Sequence, residues 1–545
     1  MPHGRKFIHT LLLIATCIAA PMKAQESCGG ELSMLAQFNN TSACGSNVPY
    51  WLLARRQGLA SPELHNGYMR LAATYGNKID KKGAFKYRFT ADIIGGYNQQ
   101  SAVSVQQAYG EISWRWLTLH VGSKERFGEN KGDDKPLLGT SFASNNVNRY
   151  FGNIYNAQIT DLNSGGLTYS GNSKPIPQVR LEVPEYTTIA KTGNWLQMRG
   201  HIAYGRFTDD NFQRDFAQGN NITRYGRNIL YHSKAAFIKI GNPEKFPLEI
   251  EGGGEMYSQF GGDIYKHSRG LVVSMPASFS DYLKAFIPLS GSEDTPLDEQ
   301  TNISGNQIGS WHAALTLHTK AMDIRLYGEH MYEDFSQLFF LEYQSNKEGV
   351  RRVIFYPWKD IMAGIRLTNK SGKLPFISAL QYEFMGTYDQ SGALYHDPSS
   401  NFNEQMDGVD NYYNHGIYPG WHHWGMGMGS PLVLSPIYNK DGDLAFKSNR
   451  LISHNVGING CFGKQHSFAY RLQYTYSEHW GTYLNPLDKK AYITSLLGEL
   501  VYAPRGSYWA AGISLGYDRS SYIGNNFGFM LSITRVSSII FGKRE

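Results

Sequence analysis

The residues best suited to chemistry crowd into one stretch, Asp410–Leu434 (DNYYNHGIYPGWHHWGMGMGSPLVL). Tyr412, Tyr413, Tyr418, Trp421 and Trp424 are interleaved there with Asn411, His415, His422 and His423, and glycines at 416, 420, 425, 427 and 429 loosen the backbone. Sugars are bound by stacking their C–H faces on aromatic rings while amides and imidazoles take the hydroxyls, so this composition predicts a carbohydrate-binding stretch. A self-packed loop that closes the opening beneath it is an equal and compatible reading. His422 and His423 are adjacent, and neighbouring side chains on extended backbone point apart, so no metal is expected. H-E-x-x-H, C-x-x-C and P-loop motifs are absent, and the sequence assigns no catalytic residue, no cofactor and no enzymatic activity.

The elements that must carry this stretch read as strands. Phe85, Tyr87, Phe89, Ala91 and Ile93 share one face of their run, and Lys86, Arg88, Thr90 and Asp92 share the other. The same period of two recurs at 468–477, at 376–388 and at 322–329, and roughly 16 to 18 such runs follow one another from residue 67 onward. A soluble antiparallel protein would have to bury every apolar face, and one core does not accommodate so many long strands. A transmembrane barrel turns those faces to lipid, and closing the sheet removes its edges. The predicted fold is therefore all-β: a transmembrane antiparallel barrel with long outer loops. A mean hydropathy of −0.40 agrees, because helical spans would need ~20 consecutive apolar residues.

The polar faces of these runs carry Lys86, Arg88, Asp92, Arg199, Glu249, Glu251, Glu255, Asp323, Arg325, Glu329 and Arg471. Their mixed signs predict ion pairs across the lumen, and so a narrow or plugged interior. The charges elsewhere are scattered, with no basic run, so nucleic acid is excluded as a partner.

Residues 1–24 read as a signal peptide, with Arg5 and Lys6 before an apolar stretch and Pro21. Its removal leaves 49 Lys and Arg against 46 Asp and Glu, too slight an excess to mark a partner. In an oxidising compartment Cys28 and Cys44 are candidates for a disulfide. Residues 25–66 read as a small periplasmic cap or plug, with a short helix after Pro49, and residues 67–545 as the barrel. Long loops are expected near 125–177, 277–302 and 390–446, the second containing a helix-like SFSDYLKAFIPLSG.

With those strings in view, the sequence resembles the capsule assembly Wzi family in its Bacteroidetes form. The resemblance rests on D-N-Y-Y-N-H-x-x-Y-P-G-W at Asp410–Trp421 and G-x-G-x-G-S-P-L at Gly425–Leu432. It is supported by P-Y-W-L-L-A-R-R-Q-G at Pro49–Gly58, F-S-D-Y-L-K-A-F at Phe279–Phe286 and S-N-R-L-I-S-H-N at Ser448–Asn455. It implies an outer-membrane barrel of about 18 strands in a Gram-negative bacterium. It also implies a lectin-like role, holding capsular or other surface polysaccharide, with outer-membrane lipid as the second partner and a monomeric barrel. The competing function is a diffusion channel of the porin kind. On the lectin reading, replacing Trp421 and Trp424 by Ala is expected to weaken glycan retention and leave the barrel folded.

Overall fold

Backbone groups facing hydrocarbon must pair within the protein, and a strand can do so only if the sheet has no end. In the computed structural model eighteen antiparallel strands form such a sheet, closed on itself. The structure describes residues 30–77, 85–127, 161–287, 305–333, 341–345, 351–355, 360–370, 376–395, 406–504 and 507–541; the expected signal peptide lies outside them. The barrel strands are β1 (Gly30–Cys44), β2 (His65–Asn77), β3 (Phe85–Tyr97), β4 (Val103–Trp114), β5 (Leu117–Ser123), β6 (Gln178–Thr188), β7 (Leu196–Arg206), β8 (Leu230–Ile240) and β9 (Leu248–Phe260). They continue as β10 (Asn306–His318), β11 (Met322–Glu333), β12 (Ile361–Asn369), β13 (Ala379–Gly386), β14 (Leu451–Phe462), β15 (Phe468–Gly481), β16 (Pro486–Tyr502), β17 (Trp509–Ser520) and β18 (Asn526–Ile540). Each pairs with its neighbour in sequence. β1 pairs with β18, from Glu31 opposite Ile540 to Cys44 opposite Phe527, and so shuts the ring.

The side chains are distributed inside out. On β3 Phe89 is 54% exposed while Asp92 is 0% exposed. On β15 Leu472 and Tyr474 face outward, whereas Arg471, Gln473, Thr475 and Ser477 are buried. An apolar outer face over a polar interior is the arrangement lipid selects. Turns at 115–116, 319–321 and 463–467 lie at one end of the barrel, with exposed Trp114, Trp116, Phe376, Phe462, Tyr508 and Trp509 around them, as in an interfacial girdle. The long connections all lie at the other end. They contain α1 (Tyr50–Leu53), α2 (Phe212–Phe216) and α3 (Phe279–Phe286). The Asp281 carboxylate accepts from both the amide and the hydroxyl of Ser278 at the start of α3, closing a first-turn cap.

Two sequence expectations fail here. The barrel starts at Gly30 and not at residue 67, because β1 is a wall strand paired on both sides. The remainder of the expected cap, 45–64, enters the barrel from the long-loop end and not from the short-turn end. Cys28, and with it the expected Cys28–Cys44 disulfide, lies outside the described residues; among these, Cys44 at the end of β1 has no disulfide partner.

The core sits inside the ring. Residues 45–60, 161–176 and 410–446 fold into the lumen and pack there as one buried cluster with wall side chains. Trp51 donates its indole N–H to Thr475 Oγ1 at 3.0 Å, and the Tyr50 amide donates to Asp518 at 2.9 Å. Thus segments of two expected outer loops, 161–176 from 125–177 and most of 410–446 from 390–446, turn inward as a plug. A Cβ on wall residue Gly457 would meet Leu162 Cβ at 2.9 Å, so glycine there lets the plug approach the wall.

Candidate functional site

The wall holds the plug through carboxylates. Glu329 accepts from the Leu167 amide at 2.8 Å, Glu383 from the Ser164 amide at 2.5 Å and Glu333 from the Tyr413 amide at 2.7 Å, while Glu255 accepts from the Thr168 hydroxyl. Further along the wall, Arg471 donates to Asp161 O at 2.9 Å and shares Glu499 with plug residue Arg56. Charge-assisted bonds to buried backbone are the strong kind, and each also satisfies a plug group that has left water.

The charged positions read from the sequence fall on this wall, and their partners lie one or two strands away or on the plug. Near the short-turn end, His318 bridges Glu249 and Asp323, both at 2.8 Å. One layer further in, Arg325 pairs with Glu251 at 2.5 Å. Deeper still, His312 lies 3.5 Å from Glu255 and 3.9 Å from Glu329. Asp92 accepts from buried Arg70 at 3.0 Å, and Arg88 meets Glu111 at 3.0 Å. The Arg199 guanidinium lies 4.2 Å from the centre of the Phe237 ring, and half-buried Lys86 faces inward opposite Ser113. Among the described residues the networks therefore run along the wall and do not cross the lumen, because the plug occupies the middle. Arg70, Arg56 and Glu499 complete them; what they recognise lies on distant segments, which leaves no local sequence signal.

Glu255, His312 and Glu329 bring ligand atoms within 4.8 Å of one another, a set that could hold a metal ion. Those carboxylates already accept the plug donors Leu167 N and Thr168 Oγ1, so the cluster serves as a latch as it stands. A G-x-S-x-G string at Gly512–Gly516, missed in the sequence reading, lies within β17, where Ser514 donates to Glu499 at 3.0 Å. It has none of the strand-to-helix turn that exposes a nucleophilic serine.

The aromatic stretch divides in two. Tyr412, Tyr413, Trp421, His422, His423 and Trp424 are buried in the plug, which corrects their reading as open stacking faces. Trp421 donates its indole N–H to Thr168 O at 2.8 Å, and Tyr412 donates its hydroxyl to Asp360 at 3.0 Å. The Tyr413 hydroxyl donates to Leu167 O. A Cβ on Gly429 would meet that hydroxyl and Leu167 O at 2.4 Å, so only glycine fits between these segments. Lys174 lies 4.3 Å from the centre of the Trp424 ring, and burial lowers its ammonium to about 8. Burial lowers His422 to about 3 and His423 to about 4, so both are neutral. Burial raises Asp360 to about 6 against the amides of Asp389 and Gln390 and the hydroxyl of Tyr412.

The other part, Asn411 and His415, lines a cavity of about 760 Å³ at the long-loop mouth, together with Asn414, Phe446, Arg224 and the edge of Tyr418, whose ring is buried in the plug and whose hydroxyl donates to Gly261 O at 3.3 Å. Burial, with Arg224 nearby, lowers His415 to about 4. Its Nδ1 accepts from the amides of Ile417 and Tyr418 at 3.1 and 3.3 Å, which assigns the ring proton to Nε2. Asn414 donates to Asn411 Oδ1 at 3.0 Å and to Phe446 O at 2.9 Å, fixing the floor. The sequence reading missed Arg224 and Lys266. They come from the connections before β8 and after β9, and an isolated cation in a loop carries no signal of its own.

Fold and site together define a plugged β-barrel with an apolar belt and a polar cavity at one mouth. No family model and no curated protein matches the chain. Among solved structures, it is similar to Wzi of Escherichia coli, described as an outer membrane protein involved in group 1 capsule assembly and a carbohydrate-binding β-barrel. That similarity has 11% identity, covers 92% of this chain and 83% of that one, and scores a TM of 0.47. It is also similar to OccK2 (OpdF) of Pseudomonas aeruginosa at 8% identity, 94% and 98% coverage and a TM-score of 0.46. A third similarity is to opdK, an outer membrane protein of the same organism, at 8% identity, 94% and 99% coverage and a TM-score of 0.43.

Proposed function

We propose that this protein is a lectin-like barrel of the Gram-negative outer membrane that attaches, or helps assemble, capsular or other surface polysaccharide at the cell surface. The observation that carries the reading is the mouth cavity of about 760 Å³, lined by Asn411, Asn414, His415 and Tyr418, above a lumen filled by the plug. Long loops in such barrels face outward, so the cavity opens toward the exported polymer. Amides, an imidazole and aromatic edges are groups that bind sugar hydroxyls and C–H faces. The barrel acts as a single chain, and no step of bond making or breaking is required of it.

The test is the partition of surface polysaccharide between cells and medium, with and without the gene. Shedding of polymer that is still synthesised is the expected result; an unchanged cell-bound fraction removes the anchor reading. The strand count favours the channel alternative, since barrels of 16–18 strands can leave an aqueous lumen. Single-channel recording in planar bilayers separates the two: the plugged barrel gives no steady open-channel current, and a porin does.

A further inference from the structure

Two cations face each other at the mouth. Residues Gly262–Lys266 pair antiparallel with Arg224–Arg227, and in that register Lys266 lies directly opposite Arg224. Side chains opposite each other on one sheet face stand about 5 Å apart at Cβ, where like charges repel. Both residues are half-buried and both line the mouth cavity. Among the described residues neither has a carboxylate partner.

The rest of the cavity wall has the same bias. Asp443 accepts from the Thr223 hydroxyl at 3.2 Å and the Ala445 amide at 3.1 Å. Lys447 pairs with Asp441 at 2.5 Å. Asn411 Oδ1 accepts from Asn414 and Asn449. Against the open second oxygen of Asp443, the one carboxylate among the lining residues, stand Nδ2 of Asn411, the Nε2–H of His415, the Arg224 guanidinium and the Lys266 ammonium. All four donate, and two carry full positive charge. Such a wall is unsatisfied until it meets an acceptor-rich anion.

We propose that the mouth cavity takes an acidic sugar unit, a saccharide bearing an ionised carboxylate, with Arg224 and Lys266 on the carboxylate and Asn411 and His415 on adjoining hydroxyls. This deepens the polysaccharide-binding reading and rests on it. The site discriminates by charge, so binding weakens with salt, and a neutral saccharide of equal length binds less well.

The experiment uses the full-length protein in detergent micelles and titrates it with an oligogalacturonate and, separately, a neutral malto-oligosaccharide of the same length. The expected result is oligogalacturonate binding at least about tenfold tighter than the neutral probe, the loss of two charge-assisted contacts in the R224Q/K266Q double variant costing about tenfold or more. The charge-conserving R224K/K266R variant retains salt-dependent binding, and heat-modifiable gel mobility verifies that each variant barrel is folded. Equal binding of both probes, unchanged in the double variant, overturns the charge assignment and leaves the polysaccharide reading intact. Displacement of the oligogalacturonate by equimolar inorganic phosphate reduces the site to a simple anion trap and also overturns it. Failure of either probe to bind the unaltered protein overturns it as well; the shedding assay then decides the wider reading independently.

Discussion

Residues 410–424 are used in two opposite ways. Tyr412, Tyr413, Trp421 and Trp424 are buried, and the polar atoms of the first three are spent on Asp360, Leu167 and Thr168. Asn411 and His415, interleaved with them, border open space at the mouth, while Tyr418 beside them is buried and donates its hydroxyl to Gly261 O. The side chains are of the same kinds; what differs is whether a distant segment supplies their partner. An aromatic-rich stretch thus builds a stopper from its larger rings and leaves its smaller polar groups for recognition.

The sharpest way to break that division is Trp421→Ala. Truncating a fully buried tryptophan costs about 3–5 kcal/mol, and the loss falls on the plug while the ring of strands stays closed. Amide exchange across 412–446 is expected to rise with heat-modifiable mobility unchanged, and bilayer current to appear. The same burial revises the expected outcome of the Trp421 and Trp424 double replacement, which unpacks the plug and so cannot isolate a glycan contact. Unchanged exchange in Trp421→Ala would mean the stopper is held elsewhere.

Tyr413→Phe is a smaller cut. It removes a hydroxyl that donates to Leu167 O and accepts from the Ser430 amide at 3.1 Å, leaving both unpaired at a cost of about 1–3 kcal/mol. The loss should register as faster exchange at Leu167 and Ser430, with the mouth cavity still competent to bind.

Acid acts on both halves. His415, His422 and His423 have folded values of about 4, 3 and 4, below the unfolded value of ~6.5. Unfolded chain therefore takes up protons that the plug refuses, and the contribution of these rings, complete above pH ~6.5, is lost as pH falls toward 4. Asp360, raised to about 6, has the opposite sign: its carboxyl destabilises the plug as pH rises through that value. Plug protection, taken relative to the base-catalysed exchange rate of free amides at each pH, should therefore fall from pH 7.5 to 4.5, and more steeply in Asp360→Asn. A profile flat across that range would show that the rings are not held neutral.

Least is expected of Asp441→Asn, which breaks an exposed pair with Lys447 worth at most about 1 kcal/mol. Its denaturation midpoint should match that of the unaltered protein, which makes it the reference against which the interior variants are read.

The barrel was legible because period two survives in most strands: Phe85, Phe89 and Ile93 against Arg88, Thr90 and Asp92 need only a pleat to separate. β1 was not legible. Its inward face mixes Leu35 with Ser33, Gln37, Asn39 and Thr41, and its outward face carries Met34 and Phe38 beside Asn40, so the alternation is blurred. Whether 410–446 lies over the barrel or inside it was illegible for a different reason. The aromatic stretch suits either place, and burial is decided by Leu167, Thr168 and Glu333, some 80 to 250 positions away. The sites of the charges were readable from parity alone, but their partners were not, since pairing depends on register between strands.

The seam between β1 and β18 has a consequence for how the molecule comes apart. It joins the first and eighteenth strands of the ring along fourteen residue pairs, and parting it would leave two bare edges in hydrocarbon, where no water can take over the lost bonds. There is thus no comfortable half-open ring: unzipping yields nothing until the whole sheet leaves the bilayer. Because β18 follows every segment of the stopper along the chain, those segments already exist when the ring can first shut, so the barrel can close around its contents.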